Sequence, residues 1–229
     1  MIVYILCPDP GAEAVAIAEY SRYPWAKVIM IPTTYYLESI MYTHILSLRE
    51  DEWEHEDFVG CMSWRASTKI NVFDEIESYT TRGAEFVSLM YRGDPLVDAA
   101  DTYHPGFKRI WVSALGKMGL DSSAVTHPAL PSFYCNYWLA TPAIMKEYIQ
   151  FSRAFRKALE SLDSPERDIL WSDSKYVGAL PVEKRQKIWG TRWYPFHPFL
   201  CERLPCVFVA LRSPAISCLF SSGIKSRVL

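Results

Sequence analysis

Short apolar runs alternate with helix-forming stretches through the first half of the chain, and this alternation limits the fold more than any other feature. Residues 2–6, 27–31, 58–64 and 85–91 have the length and the β-branched and aromatic content of buried strands. Between them, 12–20 is Ala-rich, and 35–48 carries Leu37, Ile40, Met41, Ile45 and Leu48 at the spacing of one helical face. A short helix is expected over 72–79, and Asp94-Pro95 has the form of a cap followed by a first-turn proline. A further helix over 105–118 ends at Gly119. Strands and helices in this order predict an α/β domain, Rossmann-like, with a mostly parallel central sheet flanked by helices.

The second half turns on residues 132–148, S-F-Y-C-N-Y-W-L-A-T-P-A-I-M-K-E-Y. Its first part reads as an aromatic strand. Thr141 and Pro142 then open a helix whose three-four repeat runs to Leu162. Ser164-Pro165 opens another helix over 168–176, and 190–198 reads as an aromatic loop. Residues 204–211 read as a last apolar strand, and the tail past Arg212 is expected to fray. The stretch 50–57 reads as an acidic, exposed link. The reading is one domain over 1–212 and a tail over 213–229.

Composition removes several classes. A hydrophobic content of 50% is that of a folding chain, and a net charge of −2 gives no basic footprint for nucleic acid. Six cysteines are scattered without metal-ligand spacing, which suits buried free thiols in a reducing compartment. The apolar start is too short and lacks the basic residues of a signal peptide, and no apolar run approaches transmembrane length, so a cytoplasmic protein without a membrane span is expected. G-x-G-x-x-G, Walker A, G-x-S-x-G and H-E-x-x-H are all missing, which disfavours nicotinamide dehydrogenases, P-loop NTPases, α/β-hydrolases and zincins.

Parallel sheets bind ligands beyond the carboxyl ends of their strands, so polar clusters there are the candidates. They are Pro32-Thr33-Thr34, Arg65 to Lys69, Arg92 to Asp94, and Asn136 within the aromatic run. Arg65 and Lys69 suit a diphosphate, or form a solvated loop. Asp94 could hold a divalent metal through its oxygens, or cap a helix. His104 stands before a helix, either touching a ligand there or simply in a turn. Asp173 could serve as a general base, or belong with Asp168 to a polar surface. Glu202-Arg203, set among apolar residues, is either a structural clamp or part of a site.

Five stretches together carry a resemblance: F-V-G-C-M-S-W-R-A-S-T-K at 58–69, H-P-G-F-K-R-I-W at 104–111, F-Y-C-N-Y-W-L-A-T-P-A-I-M-K-E-Y at 133–148, L-W-S-D-S-K-Y at 170–176 and H-P-F-L-C-E-R-L-P at 197–205. In this order they resemble GT-A-like glycosyltransferase domains of chloroviruses, the large algal viruses. The resemblance implies a sugar moved from a UDP- or GDP-sugar to a glycan or glycoprotein acceptor, in the host cytoplasm if the protein is viral. It implies a nucleotide-binding half over 1–100 and an acceptor half over 101–212. Thr33 and Thr34 would lie near the nucleotide, Arg65 and Lys69 near the diphosphate, and Asn136 and Trp138 beside the sugar. Asp173 would approach the acceptor hydroxyl, and His197, Glu202 and Arg203 would close the cleft, with Asp173 and Glu202 as the catalytic pair. Many such enzymes hold Mn²⁺ or Mg²⁺ with D-x-D. That motif is missing here and leaves Asp94 as the substitute. The rival readings are a sugar- or nucleotide-binding module of the same fold without catalysis, and a nucleotidyltransferase.

Overall fold

A computed structural model describes residues 1–176, 180–213 and 215–221. Six strands form one sheet: β1 (Ile2–Cys7), β2 (Ala26–Met30), β3 (Val59–Ser63), β4 (Phe86–Ser88), β5 (Trp138–Ala140) and β6 (Cys218–Phe220). Their order is β2-β1-β3-β5-β4-β6. The pairs of β1 with β2, β1 with β3 and β4 with β6 are parallel, whereas β5 runs antiparallel to both β3 and β4. The α/β expectation therefore holds, with one reversed strand in the middle.

Successive side chains of a strand point to opposite faces, and the core divides accordingly. Tyr4 and Leu6 of β1, Cys61 of β3, Phe86 of β4 and Trp138 of β5 belong to one apolar cluster. Val3, Ile5, Met62, Val87 and Leu139 belong to the other. Gly60 of β3 packs directly against β5. A Cβ there would lie 2.3 Å from Leu139 Cδ2 and 2.7 Å from the Trp138 carbonyl, so only glycine fits.

The helices are α1 (Pro10–Tyr20), α2 (Glu50–Trp53), α3 (Ile76–Thr80), α4 (Leu96–Tyr103) and α5 (Phe107–Lys117) in the first half. The second half adds α6 (Ser122–Val125), α7 (Pro142–Glu160), α8 (Glu166–Trp171), α9 (Val182–Trp189) and α10 (His197–Arg212). Asp9 caps α1 by accepting from the Ala12 N–H, with Pro10 in the first turn, so the helix begins inside what reads as a turn. In α7, Ile144, Met145, Tyr148, Phe155 and Leu159 form the buried face, as the three-four repeat predicts. No helix among the described residues is long and apolar enough to cross a membrane.

Four expectations are corrected. The stretch 204–211 is the second half of α10, not a strand. Most of that helix is buried, from His197 through Val209, on more than one face, so its apolar residues show no helical period. Residues 35–48 are not one α-helix but 3₁₀ and π turns (Leu37–Ser39, Met41–Ile45, Leu46–Arg49). The link at 50–57 contains α2 and the fully buried Trp53, whose indole N–H donates to the Leu46 carbonyl at 2.9 Å. The tail at 213–229 supplies β6, anchored by Ser221 N–H donating to Ser88 O at 2.8 Å, whereas 222–229 lie outside the described residues.

Candidate functional site

The reversal of β5 decides where the site lies. The carboxyl ends of β1 and β3 meet in register at Leu6 and Ser63, and Trp138, the first residue of β5, pairs with Cys61 and Ser88. The segment entering β5 therefore reaches the sheet edge that the other strands leave. A hollow of about 260 Å³ opens there. Glu38 and Ser39 reach it after β2, Lys69 after β3, Arg92 after β4, and Cys135 and Asn136 before β5. Glu202 and Arg203 of α10 close its far side, with His104, Tyr134 and Tyr176.

The backbone around the hollow is unusual. Among the described residues, the non-glycine positions with positive φ are Leu37 (49°), Cys135 (65°), Asn136 (55°) and Lys175 (61°). Three of them line the hollow and the fourth precedes Tyr176, which also lines it. Left-handed backbone is costly for leucine and cysteine and persists only where neighbours enforce it. The enforcing contacts are visible at the entry to β5. Cys135 N–H donates to Glu202 Oε1 at 2.5 Å, Tyr42 O–H donates to the Asn136 carbonyl at 3.2 Å, and Asn136 Nδ2 donates to Ser39 Oγ at 3.3 Å. Asn136 is 6% exposed, and its Oδ1 has no protein partner. A buried amide oxygen left in this state costs free energy until a donor arrives.

Three cations, Lys69, Arg92 and Arg203, and two carboxylates, Glu38 and Glu202, line the hollow. Arg203 is buried between the rings of Phe107 and Tyr134, at 5.4 and 5.3 Å. Its Nη1 donates to the Phe199 carbonyl at 2.9 Å and lies 3.5 Å from Glu202 Oε2, while its Nε is unpartnered. Lys69 Nζ lies 3.4 Å from Cys135 Sγ. Burial pushes the Cys135 thiol up to about 12, with Glu202 adding to the rise. Burial also pulls against the charge on Lys69, but Cys135, Glu38 and Glu202 more than reverse that. Since the thiol is protonated at neutral pH, the two carboxylates are what hold the ammonium charged. Glu38 is shifted above its ordinary 4.5 by burial, which outweighs a Ser63 hydroxyl bond and the charge of Lys69. His104 is held neutral by burial, and its Nδ1 donates to the Ser174 carbonyl at 2.8 Å.

Of the residues expected at a site, Lys69, Asn136, Glu202 and Arg203 come together at the hollow. Arg92 and His104 line it as well, whereas the remaining candidates do not. Arg65 is exposed, with its guanidinium over the Trp64 ring at 4.7 Å. Thr33 Oγ1 donates to the Pro8 carbonyl at 3.4 Å, and Thr34 Oγ1 accepts from Tyr36 N–H at 3.2 Å, so both shape the turn that leads to the hollow. Trp138 is fully buried, stacked between Tyr42 at 4.8 Å and Phe86 at 5.1 Å, because a β5 side chain points into the sheet face rather than along its edge. Asp173 lies beyond the end of α8, paired with Lys175 at 3.3 Å on an exposed strap. Asp94 does not cap α4, whose N-cap is Pro95 with no side-chain bond. It pairs instead with Arg92 at 3.4 Å. Among the described residues no group of three or more His, Cys, Asp or Glu could hold a metal ion.

His197 sits behind the hollow among the rings of Tyr35, Tyr36 and Trp171, with Nδ1 unpartnered. Burial lowers its pKa from 6.5 to about 3, with Arg156 adding to the effect. The native state therefore refuses a proton that the unfolded chain accepts near 6.5. This contribution to stability is complete above pH 6.5 and is lost as pH falls toward 3, amounting to about 2 kcal/mol at pH 5. Urea unfolding at pH 7.5 and pH 5 should show that loss in the parent and a smaller one in His197→Phe. Equal pH dependence in both proteins would reject the assignment.

Sequence reasoning missed Glu38, Tyr134 and Tyr176. Glu38 falls on the polar side of a stretch read as one helix, and nothing in the helical period singles it out. The fold and the hollow together define an α/β protein with a polar, partly strained hollow at the carboxyl edge of its sheet. Comparison with protein-family models, with curated proteins and with solved structures gives no match for this chain.

Proposed function

We propose that the chain is a glycosyltransferase that takes a sugar from a UDP- or GDP-sugar held in this hollow and passes it to a glycan or glycoprotein acceptor. One observation carries the reading: a lysine, a buried arginine, an unpartnered buried amide oxygen and two carboxylates converge where an α/β sheet presents its ligands. The chemistry asks for little more. A departing nucleoside diphosphate needs positive charge, which Lys69 and Arg92 supply from beyond the carboxyl ends of β3 and β4. Asn136 Oδ1 accepts a sugar hydroxyl. Glu38 takes the proton of the attacking hydroxyl, since burial raises its basicity above that of an exposed glutamate. Tyr134 and Tyr176 offer flat faces to the sugar ring.

The donor set around Asp94 does not suit Mn²⁺ or Mg²⁺, because Arg92 occupies that carboxylate. The test is a thermal-shift titration with UDP- and GDP-sugars, followed by product analysis with oligosaccharide acceptors. At least one donor should raise the melting temperature, and Lys69→Ala should weaken its binding by about tenfold or more, the loss of one charged hydrogen bond. Arg65→Ala, outside the wall of the hollow, should leave affinity unchanged. If no donor shifts the parent, or if Lys69→Ala binds as well as the parent, the reading fails. Binding without transfer to any acceptor would instead favour a sugar- or nucleotide-binding module.

A further inference from the structure

We propose that an exposed aromatic patch beside the hollow, built by Trp171, Trp193 and Tyr176, binds the saccharide chain of the acceptor. This rests on the reading that the hollow holds the donor sugar. The three residues are 39%, 37% and 44% exposed, although large aromatic side chains are among the most favourable to bury. They are held in place. The segment around Trp171 runs beside the segment around Trp193, joined by Phe196 N–H to Leu170 O at 3.0 Å, Trp193 Nε1 to Trp171 O at 2.9 Å and Ser174 N–H to Tyr194 O at 3.0 Å.

Two paths connect the patch to the hollow. Tyr176 belongs to both. At the other end, Trp171 packs on Tyr35 at 5.1 Å, and Tyr35 packs at 4.8 Å on Tyr36, which lines the hollow. A chain lying across the rings would thus run toward the hollow that Glu38 lines. The polar groups beside the rings choose the occupant. Asp173 and Lys175 pair at 3.3 Å with side chains 42% and 68% exposed, so the patch carries both a hydrogen-bond acceptor and a donor but no net charge from this pair. A pyranose has that same character, with C–H faces that stack on flat rings and a rim of hydroxyls that hydrogen-bond. An acyl chain or an apolar protein helix would desolvate the Asp173–Lys175 pair and offer its exposed atoms no polar partner in place of water.

The experiment titrates cellohexaose, chitohexaose, mannohexaose and xylohexaose against the protein, reading tryptophan emission and calorimetry. At least one should bind saturably, and the double variant Trp171→Ala Trp193→Ala should weaken it at least tenfold, with Trp171→Phe Trp193→Phe restoring most of the affinity. The nucleotide-sugar thermal shift, read on the same proteins, should stay within about twofold and also reports whether each variant is folded. Should the alanine variant not fold, Asp173→Asn Lys175→Ala, which keeps an oxygen to accept the Lys175 backbone N–H, is expected to weaken the same oligosaccharide about threefold or more. Equal oligosaccharide affinity in parent and variants, or no binding of any of the four by the parent, overturns the patch. A missing donor shift with intact oligosaccharide binding would instead count against the reading of the hollow.

Discussion

Glu38→Gln is expected to lower turnover by roughly 10²–10⁴-fold, the usual worth of a positioned general base, while leaving donor affinity within a few fold. The substitution keeps size and a carbonyl oxygen that can accept from the Ser63 hydroxyl, so the turn at Leu37–Ser39 should survive. What it removes is the ability to take a proton. In the parent, burial lifts the Glu38 pKa above the ordinary 4.5, against the opposing pull of Ser63 and Lys69. The base form therefore fills at a higher pH than in an exposed glutamate, and kcat/KM should fall as pH drops through that raised value. In Glu38→Gln the residual rate should lose this acidic limb. Retained turnover with the acidic limb intact would place the base elsewhere, with Asp173 at the edge of the aromatic patch as the next candidate.

How much of this was legible in the sequence depends on which physical signal each residue carries. The first three strands and the long helix α7 were legible because their apolar periods match their geometry. The polar groups at strand ends were legible by the same logic, and Lys69 and Asn136 reach the hollow from them. The direction of β5 was not, because a three-residue apolar strand reads identically both ways. That reversal brings the left-handed Cys135–Asn136 turn to the carboxyl edge and sends Trp138, two residues on, into the core. The helix α10 was hidden by burial on more than one face, and Glu38 by a stretch whose 3₁₀ and π turns imitate the apolar spacing of an α-helix. Both misses have one cause: periodicity reports a half-exposed surface and is silent where the surroundings are apolar throughout or the local winding changes.

Glu202→Ala should destabilise the fold by about 3–5 kcal/mol, the range seen when one partner of a buried ion pair is removed. Arg203 is the reason. Its side chain is 6% exposed and already carries one unpartnered nitrogen, and Glu202 is its nearby counter-charge at 3.5 Å. The same carboxylate accepts the Cys135 N–H at 2.5 Å and so fixes a turn that holds two consecutive left-handed residues. Alanine would leave a buried cation and a backbone donor unsatisfied together, and the turn would lose the contact that offsets its strain. Glu202→Gln should cost less, because its amide oxygen can still accept from Cys135 while only the charge is lost. The urea midpoints of the two variants should rank in that order, and donor affinity should fall with them, since Asn136 is the next residue of the turn. A midpoint for Glu202→Ala equal to that of the parent would mean that Arg203 and the turn stand without this carboxylate, and Glu202 would then have to be read through the donor or acceptor it touches.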